Sequence, residues 1–292
     1  MNVSGRTIVR RRRAAEVIYF PASLRKLLVP REHGSWGLWL LPLITGAIAG
    51  KVQTHQSSGW ATFWLCTASS SAFLAYQPLE ALLGSSLYRV RSQIEKQIAA
   101  VWVLLCCAIG GVAAITLVRL GRGLVLCFAV LGIACFGIRL LLGKSRRLRV
   151  ARQILGALSL SSTAAAAYYV ATGKLDRTAI LLWAANWLFA AGQIEYVQLR
   201  VRTATVRTRL EKVSAGLRIA AYHLVLLYFA IAAATAHVVH PLFAIAFVPA
   251  VTRIFVWAAT KPAKIDFHVL GLSELFQSVL FSALLLAAFL RH

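Results

Sequence analysis

Acidic residues are the scarcest chemistry in this chain. Nine Asp and Glu stand against 32 Lys and Arg in 292 residues, giving a net charge of +23. Charged residues together make only 14% of the sequence, whereas a soluble domain carries about 25%. That shortage argues against an ordinary water-soluble globular fold. Metal-binding patterns are also missing. There is no HExxH, and Cys66, Cys106, Cys107, Cys127 and Cys135 all sit in apolar runs without ligand spacing. They read as small packing residues. Arg10 to Arg13 are not followed by an adequate apolar segment before Pro21, so no signal peptide is expected. No internal repeat is evident.

What fills the chain is hydrophobic: 59% of residues, with mean hydropathy +0.72. The apolar residues come in runs of about 20, the length that crosses a hydrocarbon core of about 30 Å. Such runs exclude a transmembrane barrel, whose strands alternate over about ten residues. The fold class expected is therefore an all-α polytopic membrane protein with about nine transmembrane helices. The spans fall near 36–52, 59–79, 98–118, 123–142, 153–172, 178–196, 218–237, 240–258 and 269–290. Residues 1–28 read as a disordered basic cytoplasmic tail and 29–292 as one helical membrane domain. With the N-terminus inside, 24 of the 32 basic residues fall on the cytoplasmic side and six outside. Arg139 and Arg253 alone lie within spans, near their inner ends, where they are expected to snorkel to the interface. This distribution predicts a multi-pass bacterial inner-membrane protein with an outer C-terminus. It also accounts for the high charge without a nucleic-acid partner.

The polar residues near spans carry the functional expectation. Pro30-Arg31-Glu32-His33-Gly34-Ser35-Trp36-Gly37 crowds the entrance of the first span. Arg31, Glu32 and His33 are expected at the lip of a polar cavity, with Trp36 as an interfacial anchor. Gly34 and Gly37 are expected to allow close backbone packing. Glu32, Glu80, Glu95, Glu195, Asp266 and Glu274 all map to inner helix ends, and acids placed there usually face a bundle interior or a water cavity. Gln77 and Glu80 share a face if their helix continues past Pro78. Beyond the sixth span, Gln193, Tyr196 and Arg200 form one helical stripe, and Glu195, Gln198 and Arg202 a second. Arginines beside amides and a carboxylate suit a phosphate or carboxylate ligand. Glu274 is the deepest acid, with Lys264 and Arg31 as candidate partners. The catalytic candidates are His33, Glu80 and Glu195. The binding candidates are Arg31, Glu32, Trp36, Gln77, Gln193, Tyr196, Gln198, Arg200, Arg202 and Glu274. No metal ligand is assigned.

Several of these elements resemble a known family. Pro30-Arg31-Glu32-His33-Gly34-Ser35-Trp36 is similar to the Pro-x-x-His-Gly-Ala-Trp opening of the YwiC-like bacterial membrane proteins. Tyr76-Gln77-Pro78-Leu79 resembles their Tyr-Pro-Leu segment with one residue inserted. Gly192 to Gln198 resembles their Gly-x-x-x-Tyr-Val-Lys segment, and Gly271-Leu272-Ser273-Glu274 their late Gly-x-x-Glu. The family brings no settled activity. More distantly, polar clusters after the second and sixth spans resemble the UbiA-type intramembrane prenyltransferases. That resemblance implies an isoprenoid or other anionic lipid ligand. It would imply magnesium only if prenyl transfer were retained, and the aspartate-rich motifs are absent. The alternatives are a transporter or permease for a small anion or metabolite, and a non-catalytic membrane assembly protein.

Overall fold

The computed structural model describes residues 27–29, 33–54, 59–84, 90, 92–143, 145, 148–204, 208–260 and 266–291. Among these residues every regular element is helical. The elements are α1 (His33–Thr54), α2 (Gly59–Leu82), α3 (Gln93–Arg119), α4 (Val125–Leu141), α5 (Arg149–Ser161), α6 (Thr163–Thr172), α7 (Arg177–Arg202), α8 (Arg209–Thr235), α9 (Leu242–Ala259) and α10 (Phe267–Leu290). Among the described residues, six stretches are long and apolar enough to cross a membrane: 34–54, 93–119, 149–172, 210–235, 242–259 and 267–290. Helices are the natural solution, because lipid offers the backbone no hydrogen-bond partners. The residues expected to form a basic tail lie almost wholly outside the described ones.

Local chemistry sets the helix ends. Ser92 caps α3 through Glu95 N, Asp176 caps α7 through Thr178 N and Ala179 N, and Asp266 caps α10 through His268 N and Val269 N. Each cap satisfies backbone donors that the helix itself leaves unpaired. The span expected at 153–172 is broken at Ser162 into α5 and α6. Ser161, Ser162 and Thr163 donate their hydroxyls back to the carbonyls of Leu158, Ser159 and Leu160. Such back-bonding competes with the helical ladder and bends it.

The core gathers around α6 and α7. Ala164 to Ala167 are 0–3% exposed, and α6 lies directly against α1. A Cβ at Gly46 would collide with the Ala164 carbonyl, and one at Gly50 would come within 2.7 Å of the Ala171 methyl. Small residues let these backbones approach to a distance at which dispersion contacts are dense. In the second half of the bundle Phe189 stacks on Phe281, and Phe247 meets Phe281 edge-on. By contrast α3 and α8 are only 17% buried over their apolar windows, and their large exposed side chains suit a lipid-facing surface.

Side-chain contacts mark the two ends of the bundle. At one end, Tyr168 bonds Gln53 and Asp176, and Arg122 donates to the Val170 carbonyl. At the other, Glu80 meets Arg139, Arg152 meets Gly143, Gln153 meets Gln198, Glu195 meets Arg218 and Lys212 meets Thr260. This second end is richer in arginine and is called the basic end below.

Candidate functional site

The deepest ionic feature at the basic end joins α9 and α10. Arg253 Nη1 lies 2.5 Å from Glu274 Oε1, with the two side chains only 10% and 15% exposed. The Arg253 guanidinium also lies over the Tyr196 ring at 3.9 Å from its centroid. A planar, weakly hydrated cation stacks well on an aromatic face. From the same helix as Tyr196, Arg200 Nη1 accompanies it, 3.1 Å from the Tyr196 hydroxyl, which accepts. Gln193, one turn earlier, donates to the Glu274 backbone carbonyl (3.1 Å) and accepts from Ser278 (3.0 Å). Gln193, Tyr196 and Arg200 thus share one stripe of α7, as their i, i+3, i+7 spacing requires: Gln193 engages α10, Tyr196 carries Arg253 of α9, and Arg200 bonds Tyr196.

This group is only partly satisfied. Arg253 Nε and Nη2, Glu274 Oε2 and Gln277 Oε1 are buried and have no hydrogen-bond partner among the described residues. Buried polar groups left without partners cost about 1–3 kcal/mol each, and native structures tolerate few of them. Two free guanidinium donors beside Arg200 can hold an anionic oxygen pair in the geometry arginine favours. His223 packs nearby, with its Nε2 2.7 Å from where a Gly192 Cβ would stand. A side chain larger than hydrogen at Gly192 would therefore displace the imidazole.

The second stripe of α7 is distinct. Glu195 pairs with Arg218 at 2.6 Å and Arg202 at 3.5 Å, but those arginines are 71% and 56% exposed. Gln198 donates to Gln153 on α5 (3.1 Å), and its carbonyl accepts from Arg202 Nε. Glu195 therefore belongs to a solvent-facing ion pair on another face from Glu274.

A third cluster joins α2 to α4. Glu80 Oε1 accepts from the Tyr76 hydroxyl (2.8 Å) and pairs with Arg139 Nη2 (3.2 Å). Arg139 also stacks over the Tyr76 ring at 4.8 Å. α2 does continue past Pro78 to Leu82, which keeps Tyr76 and Glu80 one turn apart. Gln77 is half-buried on this helix.

Sequence reasoning missed both intramembrane arginines as partners. Arg139 and Arg253 were expected to snorkel to the interface, but each instead turns inward onto a glutamate. Their isolation within apolar runs was the available signal, since a cation placed there is costly unless paired. Glu274 pairs with Arg253; the partners considered for it, Lys264 and Arg31, lie outside the described residues. So do Glu32 and the His33 side chain. Trp36 joins Trp39 and Phe73 in an aromatic cluster with centroids 5.0–6.0 Å apart. The expected close packing at Gly34 and Gly37 is not found: among the described residues nothing lies within 4 Å of a Cβ at either position. The reason is placement, since Gly34 is exposed and Gly37 half-exposed at the mouth of α1.

Magnesium would need hard oxygen ligands converging on one point. Glu80, Glu195 and Glu274 each face an arginine instead, and no group of three His, Cys, Asp or Glu among the described residues could hold a metal. These residues do not fit the magnesium set of a prenyltransferase.

Several long apolar helices with polar clusters at one end define a multi-pass integral membrane protein. Within that class, residues 29–172 match the family profile described as YwiC-like protein. No curated protein matches the chain, and no solved structure matches it.

Proposed function

We propose that this YwiC-like membrane protein binds the anionic headgroup of a lipid at the basic end of its bundle. One observation carries the reading: Arg253, buried within a span, leaves Nε and Nη2 without partners while Glu274 engages only Nη1. Arg200 adds a second cation at the Tyr196 hydroxyl. The local charge of Arg200, Arg253 and Glu274 is one positive unit, which suits a single anionic group. An isoprenoid phosphate and a glycerophospholipid both present that group. The apolar faces of neighbouring helices are compatible with their tails. In this arrangement arginine supplies the positive charge that a metal supplies in the UbiA-type resemblance.

The reading is extended by the topology inferred from the basic residues. Nine spans would place the basic end in the cytoplasm, and the site would then meet the anionic inner leaflet. Protein purified in mild detergent and analysed by mass spectrometry for bound lipid tests the proposal. Enrichment of anionic or isoprenoid phosphate lipid, lost in Arg253→Gln, supports it. A lipid profile identical to the bulk membrane and to the variant contradicts it.

A transporter for a small anion or metabolite is the second reading. It draws on the unpartnered Glu274 Oε2 and Gln277 Oε1, acceptors that a transported group or proton would engage. Substrate counterflow in proteoliposomes that is abolished by Glu274→Gln would favour transport over lipid binding.

A further inference from the structure

The cluster between α2, α4 and α5 has a composition different from the Arg253 site. Among the described residues, its buried atoms without partners are both donors: Arg139 Nε and Arg152 Nε. Glu80 and Tyr76 occupy only Arg139 Nη2 and its ring-facing side. Arg152 is anchored through Nη1 to the Gly143 carbonyl at 2.7 Å, just beyond the end of α4. Its charge acts on Tyr76, the same residue on which Arg139 stacks.

Helix geometry puts Arg152 on the face of α5 that Arg139 meets. Arg152 and Gly156 are four residues apart, so they lie on one face of α5. That face meets Arg139, because a Cβ at Gly156 would lie 2.7 Å from Arg139 Nη1. Gly156 therefore provides the space in which the Arg139 head rests, and Arg152 lies one turn nearer the basic end. Among the described residues, Glu80 offsets one of the two positive charges. Two arginines with dry, unpartnered Nε atoms and one compensating carboxylate have the donor set of an oxyanion site.

We infer that Arg139 and Arg152 form a second anion site, separate from Arg253, which takes a phosphate-type oxyanion. Tyr76 and Glu80 position Arg139, and Gly156 keeps room for its head. The oxyanion belongs either to a lipid phosphomonoester or to a free phosphate. Both present the same tetrahedral acceptors, and the two are separated by how the probe is delivered.

The test uses the full chain in nanodiscs. One arm titrates inorganic phosphate into neutral phosphatidylcholine discs and reads binding by calorimetry. The other arm incorporates phosphatidic acid, a lipid phosphomonoester, and counts bound molecules by native mass spectrometry. Arg152→Gln is expected to weaken binding of the active probe about tenfold or more, the loss typical of one charged hydrogen bond. Gly156→Ala is expected to weaken it as well, by crowding the Arg139 head. The loss caused by Arg152→Gln should persist in an Arg253→Gln background, so the fate of the Arg253 proposal is read separately. Binding of phosphate alone assigns a free ion, and binding of phosphatidic acid alone assigns a lipid headgroup. The proposal is overturned if neither probe binds at millimolar concentration. It is equally overturned if Arg152→Gln and Gly156→Ala, both folded by circular dichroism, bind as the unaltered protein does.

Discussion

Arg253 lies between Tyr196 and Glu274, 3.9 Å over the ring of one and 2.5 Å from the carboxylate of the other. Three helices, α7, α9 and α10, thereby converge on one guanidinium. Removing that cation leaves Glu274 buried without a partner, which costs about 3–5 kcal/mol for a buried pair. Arg253→Met is therefore expected to lower the thermal unfolding midpoint in detergent sharply. Adding Glu274→Leu to it should recover much of the loss, because no unpaired charge remains. Additive losses in the double variant would show that the pair does not act as a unit.

Glu195 provides the contrast. Its partners Arg202 and Arg218 are largely exposed, and exposed pairs contribute about 0–1 kcal/mol. Glu195→Gln is expected to leave the unfolding midpoint almost unchanged. Raising salt to about 1 M, where screening acts over roughly 3 Å, should remove any difference that remains. A loss as large as that of Arg253→Met would mean that the pair is dry.

Close approach of α1 and α6 yields a packing prediction. At Gly46 even a methyl group would meet the Ala164 backbone. Backbone cannot yield as a side-chain end does, so Gly46→Leu should prevent the two helices from seating. The expected outcome is aggregation on size-exclusion chromatography. Gly34→Leu, at a position with open space, should elute like the unaltered protein. Equal behaviour of the two variants would contradict the assigned contact.

Topology is accessible to labelling. Ser145 and Lys174 are both exposed at opposite ends of the bundle. With the five native cysteines replaced by alanine, Lys174→Cys in intact cells should react with a membrane-impermeant maleimide. Ser145→Cys should react only after permeabilisation. The reverse pattern would invert the proposed orientation.

The sequence revealed more of the helices than of their partners. Apolar runs of membrane-spanning length made the helical class legible, because lipid leaves few other solutions. The stripe Gln193, Tyr196 and Arg200 was also legible, since a 3.6-residue period fixes which side chains share a face. The break at Ser162 was not read, although three consecutive hydroxyls marked it. Hydrophobicity counts the residues of a span but is blind to back-bonding. The pairing of Arg253 with Glu274 was missed for another reason. They sit 21 residues apart on consecutive helices, and only packing decides which inner-end charges meet. Glu195, adjacent to Tyr196 in sequence, points to a different face, so its proximity in the chain overstated its place in the site.

The central claim is that an anionic lipid headgroup engages Arg253 and Arg200 beside Tyr196. Its most direct test is native mass spectrometry of the full chain in nanodiscs containing phosphatidylglycerol and phosphatidylcholine in equal amounts. The account predicts retention of phosphatidylglycerol over phosphatidylcholine, reduced about tenfold in Arg200→Gln and at least as strongly in Arg253→Gln. Equal retention of the two lipids, or a preference untouched by both substitutions, would contradict it.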